Sequence, residues 1–489
     1  MTKFKERIFH LDLRIQVMTP KALSDLADHL VKMKFTTLVI EWEATFPFKK
    51  HPVLANRFVY TRKEVVEFLD YCKSIGLKTL AIQACFGHVE YILQHDRYAH
   101  LREDERDICQ ICPLKINEAL PLIKDLFTEL LEMHNSEYCY IGCDETYILG
   151  SCPACREKAA KSSKSQLYVD YLVEVVKLAK SFGKRPVIPA DMLLQYPEAA
   201  RELPNDTVLV DWNYGWEPGS KFGPPEPLFA LGFEFWGSLS LRSGPDNYYL
   251  HTFEKHLKNY HDFIPYAKEK GYSSVVLTSF STSGIYGFEW DAFYETVMMH
   301  PVRRVYPLNG FNILMAAFVK ACDSNEPLDY QQFIVDYAIR RFAISESEAK
   351  LFKDSLLADA SPVYKPKVEF YQPPAKVLAS VSQAVNAMNA IIPHKNRREF
   401  GHFRLMFAIR ETYLKFKLIE ETTEVDSFGD AERIRAIAGL EEVLAEEKVH
   451  AKTYKAYMRG YLHPAEIKTE NSWRIRKPLL LIERLSRER

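Results

Sequence analysis

The chain predicts an α/β fold, a (β/α)8 TIM barrel, followed by an all-α C-terminal domain. Three observations carry this. Up to about residue 300, eight short β-rich runs alternate with amphipathic helical stretches, the signature of parallel crossovers, and eight such units suit a closed barrel. No Gly-x-Gly-x-x-Gly follows the first run, which weighs against an open dinucleotide-binding sheet. Of the 19 glycines, 14 lie before Asn309 and 5 after it, so tight turns punctuate the first part only. The predicted boundaries are 1–308 for the barrel and 309–489 for the helical domain.

The elements follow in order. Arg7–Leu13 is the first strand. Thr19-Pro20 is a helix cap followed by a proline at the first helical position, opening a helix to about Lys34. Thr36–Trp42 is a strand rich in Val, Ile and Thr. Thr61-Arg-Lys-Glu64 is a capping box whose helix ends near Gly76. Lys78–Gln83 is a strand, Asn117–His134 a helix and Tyr138–Gly142 the fourth strand. Ser165–Phe182 is a helix, and Arg185–Ile188, Thr207–Asp211 and Gly232–Trp236 are strands. His251–Lys270 is a helix, Tyr272–Phe280 the eighth strand, and a helix is expected around Trp290–His300. Beyond Pro307, Asn312–Ala321, Asp329–Phe342 and Ser345–Asp354 read as helices. Pro362–Pro374 reads as a linker and Ala375–Arg489 as helical by period.

Composition narrows the function. The 64 basic and 65 acidic side chains leave a net charge of −1 and no basic excess for a nucleic acid. No apolar run approaches the ~18 residues of a spanning helix, and no apolar stretch follows the N-terminus. The expectation is a cytoplasmic protein with reduced thiols and no membrane partner. Its oligomeric state stays open, a homodimer included.

Barrel chemistry sits where strands end. Those ends carry Glu41-Trp-Glu43, Cys85-Phe-Gly-His88, Gly142-Cys-Asp144-Glu145, Asp191, Asp211-Trp212, Trp236 and Phe280. Carboxylates, a histidine and indoles converging on one mouth suit a carbohydrate: rings stack on sugar C–H faces, and acids bind hydroxyls and move protons. Asp144 and Glu145 are the sharpest pair. Sequence neighbours are awkwardly placed for the flanking carboxylates of an ordinary retaining glycosidase, ~5.5 Å apart. They suit a division of labour in which one protonates the leaving oxygen and the other orients a nucleophile supplied by the substrate.

Tyr140-Ile-Gly-Cys-Asp-Glu-Thr-Tyr resembles the His-x-Gly-Gly-Asp-Glu motif of glycoside hydrolase family 20, the β-N-acetylhexosaminidases, and the hexosaminidase D subgroup most. His10-Leu-Asp-Leu, Leu38 to Phe48, Phe86-Gly-His-Val-Glu90 and Ala99-His-Leu-Arg102 keep the family's order and spacing. The resemblance covers roughly residues 5–300. It implies hydrolysis of terminal β-linked GlcNAc or GalNAc with retention, without a cofactor. By resemblance Asp144 orients the 2-acetamido group and Glu145 is the general acid and base. His88 and Glu43 tune that acid, and Arg7 holds sugar hydroxyls. Trp212 and Trp236 are candidate aromatic walls and Asp191 a polar contact. The chain departs from the family at Pro189, Ala190 and Phe280, where tryptophan is usual nearby. The tyrosine that assists the acetamido-orienting acid has no counterpart near Trp236, and Tyr286 is the candidate in its place. Two alternatives remain: a non-catalytic sugar-binding protein on the same fold, and a glycosidase for a modified, for example sulfated, hexosamine.

The nine cysteines are odd in number and clustered, a poor fit to a disulfide framework. Cys109-x2-Cys112 and Cys152-x2-Cys155 lie in loops after adjacent strands. Free buried thiols are the first reading and a structural zinc on these four the second.

Overall fold

Eight runs that alternate inward and outward side chains close into a parallel barrel in the computed structural model, which describes residues 4–215, 219–243, 251–281, 308–361, 363 and 372–487. The strands are β1 (Glu6–Asp12), β2 (Thr37–Glu41), β3 (Lys78–Ile82), β4 (Tyr138–Tyr140), β5 (Arg185–Pro189), β6 (Val208–Trp212), β7 (Glu234–Arg242) and β8 (Ser274–Ser279). Each pairs with its sequence neighbours, and β8 closes on β1 with Glu6 opposite Ser274. Helices such as Pro20–Lys32, Arg62–Ser74, Ile116–Leu131 and Lys164–Ser181 fill the crossovers. The expected caps are present: Thr19 accepts from the Ala22 N–H, and Thr61 with Glu64 forms the capping box.

The barrel interior is layered by polarity. Ile8, Val39, Leu80, Val187, Val208, Val210, Trp236 and Val276 make one buried apolar cluster. A strand's side chains alternate, so two and four residues beyond Ile8 the same face presents His10 and Asp12, and two beyond Val39 it presents Glu41. The lower barrel is thus a packed core, and the polar groups gather where the strands end.

Two positions correct the sequence expectation. Arg7 has the opposite parity to Ile8 and leaves the interior; its guanidinium pairs with Asp323, far from the mouth. Trp236 is only the third residue of β7 and is 1% exposed. It packs edge-on against Tyr138 at 4.9 Å inside the apolar cluster. The seventh strand was expected to end at Trp236, but it runs on to Arg242. Gly237 is there for space: a Cβ would lie 2.9 Å from Phe263 and 3.1 Å from Tyr272.

The chain divides into two compact units. One holds the described residues up to Ser243, those from Lys258 to 281, and Phe318–Pro327. That last segment lies beyond the expected boundary at 308 and joins the barrel because Phe318 stacks on Phe35 at 5.7 Å. The other holds the remaining described residues, with helices Tyr330–Phe342, Glu346–Leu356, Pro374–Ala390, Arg397–Thr422, Asp430–Met458 and Pro464–Arg487. Inside it Glu399 takes hydrogen bonds from Arg341, Tyr337 and Asn312. The expected helix around Trp290–His300 and Tyr286 lie outside the described residues. Among the described residues no helix is long and apolar enough to cross a membrane.

If Trp236 is a core residue, Trp236→Ala lowers unfolding free energy by about 3–5 kcal/mol, read by urea denaturation. A loss under about 1 kcal/mol, the range of surface changes, contradicts the buried placement.

Candidate active site

The mouth is built in two halves. After β1 and β2, Asp12 receives the Arg14 guanidinium at 3.0 Å on each oxygen, the Arg14 N–H at 2.8 Å and the Ser281 N–H at 2.8 Å. Arg14 Nε lies 3.5 Å from Glu41, whose other oxygen is 3.1 Å from His10 Nε2. Burial alone would raise the Asp12 carboxyl, but Arg14's charge and hydrogen bonds overcome it and hold it at about 2. The arginine at the mouth is therefore Arg14, not Arg7. Its position two residues past the strand-ending Asp12 was the available signal.

After β3 and β4, the second half carries Asp144, Glu145 and His88. The short β4 ends in a turn with positive φ at Gly142, Cys143 and Glu145; His88 and Glu43 are left-handed as well. Such backbone is costly for residues other than glycine and persists only where packing imposes it. Here Tyr168 donates to the Cys143 carbonyl at 2.9 Å and Tyr171 to the Cys85 carbonyl at 2.6 Å. Cys143 is fully buried and serves packing.

His88 Nε2 lies 2.9 Å from Glu145 Oε2 and 3.9 Å from Asp144 Oδ2. Burial disfavours its imidazolium, but the Glu145 hydrogen bond and the charges of Asp144 and Glu90 prevail and push it up to about 10. Glu145 responds in kind: burial raises it, and His88 outweighs burial and lowers it. Asp144 is raised, by burial first, with His88 opposing and Glu145 adding. Asp191 opens a short helix after β5 and accepts the Glu145 N–H at 3.2 Å. Burial and then the Asp144 charge raise it to about 7.

Glu43 is placed differently from its expectation. It is buried, and neither carboxylate oxygen has a hydrogen-bond partner among the described residues. Burial and Glu41 raise it well above the usual range. Besides Glu145 and Asp144, the carboxylate acting on His88 is Glu90, two residues on.

Aromatic rings line the rim. Trp212 ends β6 and stacks on Tyr214 at 5.2 Å and against Phe222 at 4.4 Å, with the Lys221 ammonium 4.9 Å from its ring centre. Phe280 faces His10 at 4.8 Å and Tyr214 at 5.9 Å. The Tyr214 hydroxyl is hydrogen-bonded to Thr278 and Ser238 and feels the charges of Asp144 and Glu145. The sequence reading missed it, although it stands two residues beyond Trp212.

Residues 33–220 match the family described as "Glycosyl hydrolase family 20, catalytic domain". Over 222 residues the chain is 30% identical to Hexosaminidase D of Homo sapiens, covering 44% of this chain and 46% of that protein. Over 274 residues it is 27% identical to Hexosaminidase D of Bos taurus, covering 53% and 79%. The match to the human relative thus spans less than half of that protein's length. Among solved structures, a β-N-acetylhexosaminidase from Bacteroides fragilis aligns with TM-score 0.50 and 16% identity over 69% of each chain, a likeness of fold.

The barrel carries one more cluster beside these loops. Glu103, Cys112, Cys152 and Cys155 each bring a ligand atom within 4.8 Å of the others. Cys109, expected among them, is outside the group; Glu103 stands in its place. The expected Cys-x-x-Cys symmetry fails because the Cys109 thiol is hydrogen-bonded to Asp107 instead. All nine cysteines are free.

The Asp12 carboxyl links the mouth to stability. A folded value of about 2 against 3.8 unfolded stabilises the fold by about 2 kcal/mol above pH ~4, lost as pH falls through ~2. Urea denaturation of wild type and Asp12→Asn should show a gap that narrows over that window. A gap independent of pH contradicts the pairing with Arg14.

Proposed function

We propose that this chain hydrolyses terminal β-linked N-acetylhexosamine with retention, using the substrate's own acetamido group as nucleophile. The observation that carries the reading is the Asp144-Glu145 pair on a left-handed turn, with Glu145 hydrogen-bonded to His88. Asp144, as carboxylate, orients the acetamido N–H so that its carbonyl oxygen attacks C1, giving an oxazolinium ion whose positive charge it faces. Glu145 protonates the departing oxygen and later takes a proton from the water that opens the ring. Below about pH 10 the His88–Glu145 pair holds one proton between its partners. In the free site that proton rests on the imidazole, and the acid step draws on it through Glu145. A proton donor next to a carboxylate suits both halves of the reaction.

The rest of the mouth fits a sugar. Arg14, held flat by Asp12 and Glu41, presents its guanidinium to vicinal hydroxyls. Trp212 and Phe280 offer apolar faces, and Tyr214 takes the place of the tyrosine that steadies the acetamido group. Aryl β-GlcNAc and β-GalNAc glycosides test the reading. Wild type should turn over at least one, and Glu145→Gln should lower kcat/KM by about 10²–10⁴-fold. Wild type no faster than Glu145→Gln on both overturns it.

One observation favours a second reading, a hexosamine bearing an anionic group. Lys221 sits over Trp212 at the rim and lowers the Glu145 carboxyl through its charge. A 6-sulfated aryl glycoside hydrolysed with higher kcat/KM than its unsulfated parent at low salt supports it. The reverse order removes it.

A further inference from the structure

The Cys112, Cys152, Cys155 and Glu103 cluster is not used by the proposed chemistry, yet its geometry is specific. Cys112 Sγ lies 3.5 Å from Cys155 Sγ and 3.9 Å from Cys152 Sγ, and Cys155 Sγ lies 3.4 Å from Glu103 Oε2. A disulfide needs sulfurs about 2.05 Å apart. Ligands about 2.0–2.3 Å from a shared tetrahedral zinc stand about 3.5–3.8 Å from one another; the three separations above lie close to that range, and all four ligand atoms fall within 4.8 Å of one another. We propose that Glu103, Cys112, Cys152 and Cys155 hold a structural Zn²⁺ that staples the loop bearing His88 to the loop bearing Asp144 and Glu145.

The surroundings suit this set. Cys155 is fully buried, and Cys112 and Glu103 are 3% exposed. Cys152 caps the helix Pro153–Lys161, and its sulfur accepts the Cys155 N–H at 3.3 Å, as a thiolate ligand's outer partner would have it. The Cys152 N–H holds Glu103 Oε1 at 3.1 Å, which turns Oε2 toward the sulfurs. Three thiolates and a carboxylate form a closed four-ligand set, with no open position for a substrate or water, so the site is structural.

The staple acts on the mouth through short chain paths. From Cys112, the neighbouring Ile111 N–H donates to the Phe86 carbonyl at 3.0 Å, and Val89 N–H to the Cys109 carbonyl at 3.2 Å. His88 stands between those two anchor points. On the other loop, Cys152 follows Glu145 by seven residues, and the Ile148 N–H reaches back to Gln110 at 3.3 Å. The two loops thus touch at Gln110 and are joined at Cys112.

The test uses the full chain purified under reducing conditions without chelator, with metal content measured by inductively coupled plasma mass spectrometry. One zinc per chain is expected in wild type and in Cys109→Ser, and none in Cys112→Ser. Cobalt loading of wild type should give the thiolate-to-cobalt charge-transfer and d–d bands of a tetrahedral site. No zinc in wild type, even after zinc loading and desalting, overturns the proposal. So does a Cys112–Cys155 disulfide in the intact protein's non-reducing peptide map, or loss of zinc in Cys109→Ser. Stripping zinc with a chelator should speed proteolytic cleavage within residues 86–112; an unchanged rate overturns the stapling. None of these readouts depends on sugar hydrolysis.

Discussion

Two loop backbones meet at Gly87 and Asp144 with no space between them. A Cβ on Gly87 would stand 2.3 Å from the Asp144 carbonyl oxygen. That contact lets His88 reach Glu145 from a neighbouring strand end. It is held from behind by Tyr168 and Tyr171 of one helix, whose rings stack on Phe86 at 5.8 and 4.1 Å. The left-handed residues His88, Cys143 and Glu145 each cost on the order of 1–3 kcal/mol, and a turn under that load keeps its shape only while its supports do. The buried tyrosine hydroxyls and the proposed metal site are those supports.

The electrostatics follow from the same crowding. Asp144, Glu145 and Asp191 lie close enough to act on one another, and a second acidic group, Asp12, Glu41 and Glu43, gathers around Arg14. Burial pushes Asp12, Glu43, Asp144, Glu145 and Asp191 upward alike. The cations decide which stay charged: Arg14 keeps Asp12 ionised and His88 keeps Glu145 ionised, while Asp144, Asp191 and Glu43 are raised. Charge is therefore distributed by hydrogen-bond partners rather than by residue type. A ligand that adds positive charge or donors beside Asp144 shifts that distribution toward its ionised form.

The barrel was legible because its signals are local. Strand runs, caps and glycine punctuation act within a few residues, and the eight runs appear in the expected order. The Asp144, Glu145 and His88 grouping was legible too, since motif order places all three at the ends of adjacent strands. Errors arose where a position had to be judged from parity or from space. Arg7 and Arg14 are both arginines near β1, and only strand parity sends one out to Asp323 and the other up to Asp12. Trp236 read as a strand end, but β7 runs on through Gly237, which makes room for Phe263.

The amino-acid sequence by itself determined the alternating strands and helices, the order of the strand ends, and the identity of the acids and the histidine. Those depend on periodicity and covalent adjacency, which a chain carries before it folds. Tertiary structure alone decided which arginine serves the mouth, that Tyr214 joins it, which carboxyls are pushed up and which held down, and that Glu103 rather than Cys109 completes the thiol cluster. Each of these turns on distances of a few ångströms between residues far apart in the chain. Only closure of the barrel, and the packing of its loops around Gly87, sets those distances.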